Sequence, residues 1–131
     1  MKEIYKSANS EVTYHEDTKT VRFELNGYLN QEDAKMMCLT AMDFLKRQQV
    51  PAFLHDFRKM KGTFTSLTGW IIKEMSPAIE MGLKYDAMIV NEDIFTTFAI
   101  EDFIKKTPRL NIKLFRSESD AIDWIAERLK V

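Results

Sequence analysis

The chain has 131 residues, which is the length of one domain, and we expect a single domain over residues 1–131. Its 19 Lys and Arg nearly balance its 20 Asp and Glu, for a formal charge of −1. That balance excludes a general binder of nucleic acid, which needs a basic excess. No apolar run is long enough for a membrane span. Cys38 is the single cysteine and no signal-peptide pattern is present, so we expect a reducing, cytoplasmic location.

Alternating polarity near the N-terminus predicts a β-hairpin. In residues 11–15 and 20–25, apolar side chains alternate with polar or charged ones, as they do in half-buried strands. Residues 16–19 are polar and predict the connecting turn. Asn26 and Gly27 then predict the end of the second strand.

Helical spacing predicts a first helix after the hairpin. Asn30 is a good N-cap, and acidic residues follow it in the first turn, where they interact favourably with the helix dipole. One face of this helix carries an apolar set: Ala34, Met37, Cys38, Ala41, Met42 and Leu45. Residues 52–57 predict a short, mostly apolar strand, and residues 58–64 a basic loop.

Further helices and a buried strand are predicted in the middle of the chain. Thr65 or Ser66 can cap a second helix, and Ser76 followed by Pro77 predicts a short additional helical turn. Residues 85–90 predict a strand covered on both faces, because most of them are continuously apolar.

The last third of the chain predicts a helix, a strand and a final helix. Asn91 can cap a helix over residues 92–106, and Pro108 lies just beyond its end. Residues 111–115 predict the last strand, and Ser117 opens a pattern that resembles a capping box before the final helix.

This order of elements predicts an α/β fold. Strands that alternate with helices favour parallel pairing through crossover connections, whereas a hairpin pairs antiparallel. We therefore expect a mixed five-stranded sheet with an N-terminal antiparallel hairpin, parallel remaining strands and helices on both faces.

Polar and charged residues follow the carboxyl ends of the predicted parallel strands, which is where ligands bind in open α/β sheets. We expect them to form one rim, a candidate site for a small polar ligand or a partner: Asp56, Arg58, Lys61, Asn91, Asp93 and Arg116. The same residues also fit a solvated set of loops and helix caps, so both interpretations stay open.

The predicted third helix is apolar around more than one face. A helix that covers one side of a sheet needs only one apolar stripe. Phe95, Phe98 and Phe103 are therefore candidate interface residues, for a protein partner or for self-association. Burial of these rings within the chain is the alternative.

The sequence carries no recognisable catalytic, cofactor or metal motif. A glycine-rich phosphate loop, a dinucleotide-binding fingerprint and a hydrolase nucleophile elbow are all missing. The spacing of His15, His55 and Cys38 fits no structural zinc site. We therefore expect a non-enzymatic chain with no cofactor and no metal.

A family resemblance covers nearly the whole chain. Residues 21–27, the strand that ends at Asp56, Trp70 and residues 121–125, together with the element order, resemble the STAS domain of bacterial anti-sigma-factor antagonists. The resemblance is closest to the uncharacterised bacterial branch described as SpoIIAA-like or SEC14-like.

The resemblance implies a regulatory switch at a helix start, where the antagonists carry a phosphorylated serine. Thr65 and Ser66 are the candidate phospho-acceptors at that place. Residues 63–69 supply hydroxyl groups but lack the acidic residue and the Ser-Gly pair of the family's motif.

Two functions follow for this chain. The first is a non-enzymatic regulatory or protein-interaction domain that acts through the rim and the aromatic third helix. The alternative is a carrier or sensor of a small apolar or lipid-like ligand, which the scattered methionines also fit, although they equally fit core packing. A cavity beneath the second and third helices favours the ligand, whereas a closed core with an exposed aromatic patch favours the partner.

Overall fold

The computed structural model describes residues 1–130, and its centre is one mixed sheet. The strands are β1 (Lys2–Lys6), β2 (Ser10–His15), β3 (Thr20–Tyr28), β4 (Ala52–Lys61), β5 (Tyr85–Ile89) and β6 (Asn111–Phe115), and they lie side by side in that order. The first three pair antiparallel, and β3 to β6 pair parallel. The predicted mixed sheet is confirmed, but it has six strands rather than five.

The strand that the sequence did not predict is β1. Lys2, Glu3 and Lys6 are exposed, and only Ile4 and Tyr5 of this strand are half-buried. A register shift between Glu3 and Tyr5 also interrupts the alternation that identifies a strand. Charged side chains on an edge strand discourage pairing with another chain. The charged residues that kept β1 from being predicted therefore also protect this edge of the sheet from aggregation.

The central pair of strands is longer than predicted. β3 continues through Asn26 and Gly27 to Tyr28, and these residues pair with β4 as far as Lys61. The predicted basic loop over residues 58–64 is therefore wrong for its first half, which is strand. Gly27 adopts φ +71°, so the backbone bends there without ending the ladder.

The helices are α1 (Gln31–Leu45), α2 (Thr68–Met75), α3 (Pro77–Glu80), α4 (Ile94–Lys105) and α5 (Glu118–Leu129), and a 3-10 turn over Thr65–Leu67 precedes α2. Asn30 and Ser117 cap α1 and α5 as predicted, accepting hydrogen bonds from the backbone N–H groups of Asp33 and Asp120. Among residues 1–130, no helix has both the length and the apolar character needed to cross a membrane.

Two predicted helix caps are wrong. Asp93, not Asn91, caps α4, and its carboxylate accepts from the backbone N–H groups of Phe95 and Thr96. Neither Thr65 nor Ser66 caps α2, because both belong to the 3-10 turn that leads into it.

The sheet separates two apolar cores, so the prediction of helices on both faces is confirmed. The larger core lies on the face covered by α1 to α4, and the smaller one under α5. Trp124, predicted at the edge of the last helix, is buried there and packs against Tyr85 and Phe115.

The edge strand β1 is fastened to α1 by one carboxylate. The hydroxyls of Tyr5 and Ser10 both donate to Asp33, one to each carboxylate oxygen. Burial raises the pKa of Asp33, but these hydroxyls outweigh burial, so its pKa lies below the ordinary value.

We expect Tyr5→Phe to lower the free energy of unfolding by about 1 kcal/mol, because one hydrogen bond to a carboxylate is lost and the ring is kept. Urea denaturation measures the change. Tyr85→Phe is the matched control, since the described residues offer no hydrogen bond to the Tyr85 hydroxyl. Equal losses in both variants would contradict the role given to Asp33.

Candidate functional site

The first part of the predicted rim is a charge network on the α5 face of the sheet. Asp56 is 7% exposed and accepts hydrogen bonds from Arg22 at 2.8 Å and from Arg58 at 2.7 Å. Glu118, at the start of α5, accepts from the same two arginines at 3.0 to 3.1 Å. Arg22 on β3 and Arg58 on β4 thus join Glu118 of α5 to the two central strands, and Asp56 holds both arginines in place.

The environment of Asp56 favours its charged form. Burial raises its pKa, but the side-chain and backbone N–H groups of Arg58 and the charge of Arg22 outweigh burial, so the pKa of Asp56 lies below its ordinary value. A carboxylate satisfied by two arginines has little capacity left for an external ligand.

The second part of the rim is a clamp at the end of β4. The Asn91 amide nitrogen lies 3.0 Å from each of the carbonyl oxygens of Phe57, Arg58 and Met60, which share its two N–H donors, and its oxygen accepts from the Asp93 backbone N–H. Asn91 therefore satisfies backbone groups where β4 runs beyond the end of β5.

The remaining rim residues make separate contacts. Arg116 is exposed and lies 3.7 Å from Glu92, Asp93 is used as the cap of α4, and Lys61 is exposed at the end of β4. The predicted rim residues thus form separate local arrangements rather than one site. Whether any of them binds a ligand stays a prediction.

The aromatic residues predicted as an interface also divide. Phe95 and Phe98 are 67% and 63% exposed on one side of α4. Phe103 is turned inward, and its ring meets Phe64 edge-on at 6.2 Å. The aromatic side chains of α4 therefore lie in two places. Phe95 and Phe98 form an exposed pair, and Phe103 forms part of an internal wall.

The internal wall belongs to a cavity of about 250 Å³ between the sheet and the helices α1, α2 and α4. On the sheet side its lining includes Phe23, Phe53, His55, Phe57, Asp86 and Met88. On the helix side its lining includes Ala34, Met37, Cys38, Ile71, Met75 and Phe103. The exposed lining residues Ser76, Lys106, Pro108 and Arg109 lie where the cavity reaches the surface.

The cavity has one buried polar pair on its sheet side. Nδ1 of His55 lies 2.7 Å from Oδ1 of Asp86, and the Asp86 side chain is only 2% exposed. The His55 ring lies nearly parallel to Phe23 and Phe57, with centroids 4.5 and 5.5 Å away. Packing and one hydrogen bond thus fix the orientation of this imidazole.

Burial raises the pKa of Asp86, and the contact with His55 opposes this shift only in part. Burial also raises the pKa of the Cys38 thiol, to about 12. Cys38 is therefore a protonated, unreactive part of the wall at neutral pH. Within the described part of the chain, no three His, Cys, Asp or Glu side chains come together as a metal site.

The sequence contained a signal for this pair that the prediction did not use. His55 shares one face of a buried parallel strand with Phe53 and Phe57, and Asp86 lies in the next parallel strand, two residues before Met88 on the same face. An ionisable residue is rare at such a position unless it has a partner. Two of them on strands that are consecutive in the chain indicate a pair.

The two candidate phospho-acceptors are exposed near the N-terminal end of α2. The Thr65 backbone N–H donates to the Thr63 hydroxyl, and the Ser66 hydroxyl accepts from the Gln31 amide at 3.2 Å. Both hydroxyls are accessible in the folded chain, and their modification stays a prediction.

We expect Asp56→Asn to lower the free energy of unfolding by about 2–3 kcal/mol at neutral pH, because two arginines lose a charged partner. Because the pKa of Asp56 is lower in the folded chain than in the unfolded chain, its charge stabilises the fold at pH values above the unfolded pKa. That contribution is lost as the pH falls through the folded pKa. The difference from wild type should therefore shrink in acid.

Denaturation between pH 7 and pH 3 tests this expectation. Asp43→Asn is the matched control, since Asp43 forms an exposed ion pair with Arg47 and should contribute less than about 1 kcal/mol. A difference that stays constant with pH would refute the charge-based account.

Comparison with known proteins identifies the fold. No protein-family model and no curated protein matches the chain. An uncharacterised Shewanella loihica protein with a SpoIIAA-like fold matches with a TM-score of 0.66 and 19% identity, over 92% of this chain and 97% of that one.

Two anti-sigma factor antagonists also match. Unphosphorylated SpoIIAA gives a TM-score of 0.66 and 16% identity, over 91% of this chain and 99% of that one. An antagonist from Mycobacterium paratuberculosis gives 0.55 and 11%, over 88% and 92%. The resemblance found in the sequence is confirmed at the level of fold: the chain has a STAS-like, SpoIIAA-like fold.

Proposed function

We propose that this chain is a non-enzymatic regulatory domain that binds a small apolar ligand, as a sensor or carrier. The observation that carries the proposal is the cavity of about 250 Å³, whose lining is mostly apolar. Protein interiors are close-packed and rarely contain voids much larger than a water molecule. A concave, mostly apolar space that reaches the surface between helices is typical of a binding site for a small ligand.

The apolar lining supports a ligand as well. Removing apolar surface from water is favourable by about 25 cal/mol for each Å². A ligand that covers the lining therefore stabilises the folded chain.

The volume limits the size of the ligand. A cavity of about 150 Å³ holds benzene, so this one has room for roughly ten non-hydrogen atoms. That is a small aromatic or a medium-length aliphatic compound. The regulatory part of the proposal is supported by the fold, which anti-sigma factor antagonists share.

We expect isopropylbenzene to raise the melting temperature of the wild-type chain, and Ala34→Phe to abolish that rise. Ala34 is buried on α1 and lines the cavity, so a phenyl ring there occupies the ligand's space. Calorimetry with and without the compound measures the effect.

Ala126→Phe is the matched control, because Ala126 is exposed on α5, on the other face of the sheet. It should leave the ligand-induced rise unchanged. A folded Ala34→Phe chain that still responds fully to isopropylbenzene would exclude this cavity as the site.

The exposed pair Phe95 and Phe98 favours a second candidate function, a protein-interaction module. Two phenyl rings three residues apart, each more than half exposed, form an apolar patch on α4. SpoIIAA, by its description, antagonises an anti-sigma factor, so one protein of this fold acts on another protein. A second copy of this chain is the partner that can be tested at once.

We expect the chain to self-associate at high concentration and Phe95→Ser/Phe98→Ser to make it monomeric, because the patch is then polar. Sedimentation velocity measures the change. Met36→Ser/Leu39→Ser is the matched control, an exposed apolar pair with the same spacing on α1. A wild-type chain that stays monomeric, or a control with the same effect, counts against this surface.

The remaining predicted sites are weaker candidates for regulation. The rim of Asp56, Arg58, Lys61, Asn91, Asp93 and Arg116 is largely engaged in internal contacts, which favours a structural role for most of it. Phosphorylation at Thr65 or Ser66 would place negative charge close to the N-terminal end of α2, a favourable position.

A further inference from the structure

We infer that the ligand of this cavity carries a hydrogen-bond acceptor at its buried end, and that Nε2–H of His55 donates to it. The inference rests on the proposed function, since it names the chemistry that the same cavity selects. The ligand class is a neutral apolar compound with one carbonyl, ether or hydroxyl oxygen.

The geometry leaves one nitrogen of His55 for a ligand. Nδ1 is used by Asp86 at 2.7 Å, whereas Nε2 has no hydrogen-bond partner within residues 1–130. The side chain keeps 18% of its surface exposed and lines the cavity. Because Phe23 and Phe57 lie parallel to the ring, Nε2 is held in a fixed direction before any ligand arrives.

The chemistry of the pair makes that nitrogen a donor. The pair is neutral in two forms: imidazolium with carboxylate, or neutral imidazole with carboxylic acid. In the first form both ring nitrogens carry protons, and in the second Nδ1 accepts from the acid, so Nε2 carries the proton. Nε2–H is present in both.

Only the form with a net negative charge leaves Nε2 without a proton. That form places a carboxylate in an apolar wall with a single neutral partner, which is unfavourable. The raised pKa of Asp86 agrees with this, and His55 is the one side chain in the described chain that hydrogen-bonds to Asp86. Burial of the pair therefore favours the forms in which Nε2 is a donor.

A purely structural role does not account for the pair equally well. Replacing a buried ion pair with apolar residues of similar size is often neutral or stabilising. His55 and Asp86 also form part of the wall of a cavity. A donor in the wall of an apolar cavity binds a hydrocarbon less tightly than a ligand of the same shape that can pair with it.

The test compares acetophenone with isopropylbenzene, which have nearly the same shape but differ by a carbonyl oxygen. Isothermal titration calorimetry gives a Kd for each compound.

The variant is His55→Phe/Asp86→Leu, which removes both polar groups together and leaves neither unpaired. We expect the preference for acetophenone over isopropylbenzene, as a ratio of Kd values, to fall about tenfold from wild type to the variant. The two compounds differ in water solubility, but this difference affects the ratio of Kd values equally in both chains. It therefore cancels when the two ratios are compared.

A second measurement uses the wild-type chain alone, in case the variant does not fold. Acetophenone should move the NMR signal of the His55 Nε2–H proton downfield, and isopropylbenzene should not. Equal ratios in both chains, or an unmoved proton, would overturn the inference while binding of isopropylbenzene still upholds the proposed function. Failure of both compounds to bind the wild-type chain would overturn the proposed function itself.

Discussion

The pleat of β4 is the constraint on which the two faces of this protein depend. Successive side chains of a strand point to opposite sides, so one strand serves two environments at once. Leu54 and Asp56 face α5, whereas His55 and Phe57 face the cavity. A shift of one residue in the register of β4 would bring the arginine-bound carboxylate into the cavity and the imidazole under α5.

Two buried carboxylates show how the faces differ. Asp56 has two arginines and a backbone N–H, which lower its pKa, and it helps to hold α5 against the sheet. Asp86 has only an imidazole, and its pKa is raised. The internal contacts of Asp56 account for its position, whereas Asp86 holds the His55 imidazole at the wall of the cavity. That contrast is why the cavity, rather than the predicted rim, carries the proposed function.

The sequence predicted the features that depend on local patterns. The hairpin, the alternation of strands and helices and the caps Asn30 and Ser117 follow from polarity and capping chemistry within a few residues. β1 was not predicted because its pairing with β2, rather than its own charged sequence, makes it a strand. The cavity could not be predicted either, since its volume depends on how far α1, α2 and α4 stand from the sheet. His55 and Asp86 were visible as residues, but their pairing required the register between β4 and β5.

The strand order has a consequence for how the chain can be made. Because β1 to β6 lie side by side in chain order, each new strand pairs with the one synthesised just before it. The sheet can then grow from the N-terminus without waiting for a distant segment, which keeps loop-closure costs low. The cavity becomes enclosed only when α4 and residues 106–110 have emerged. A ligand present during synthesis would therefore encounter the sheet side of the cavity, still open to solvent, before α4 covers it.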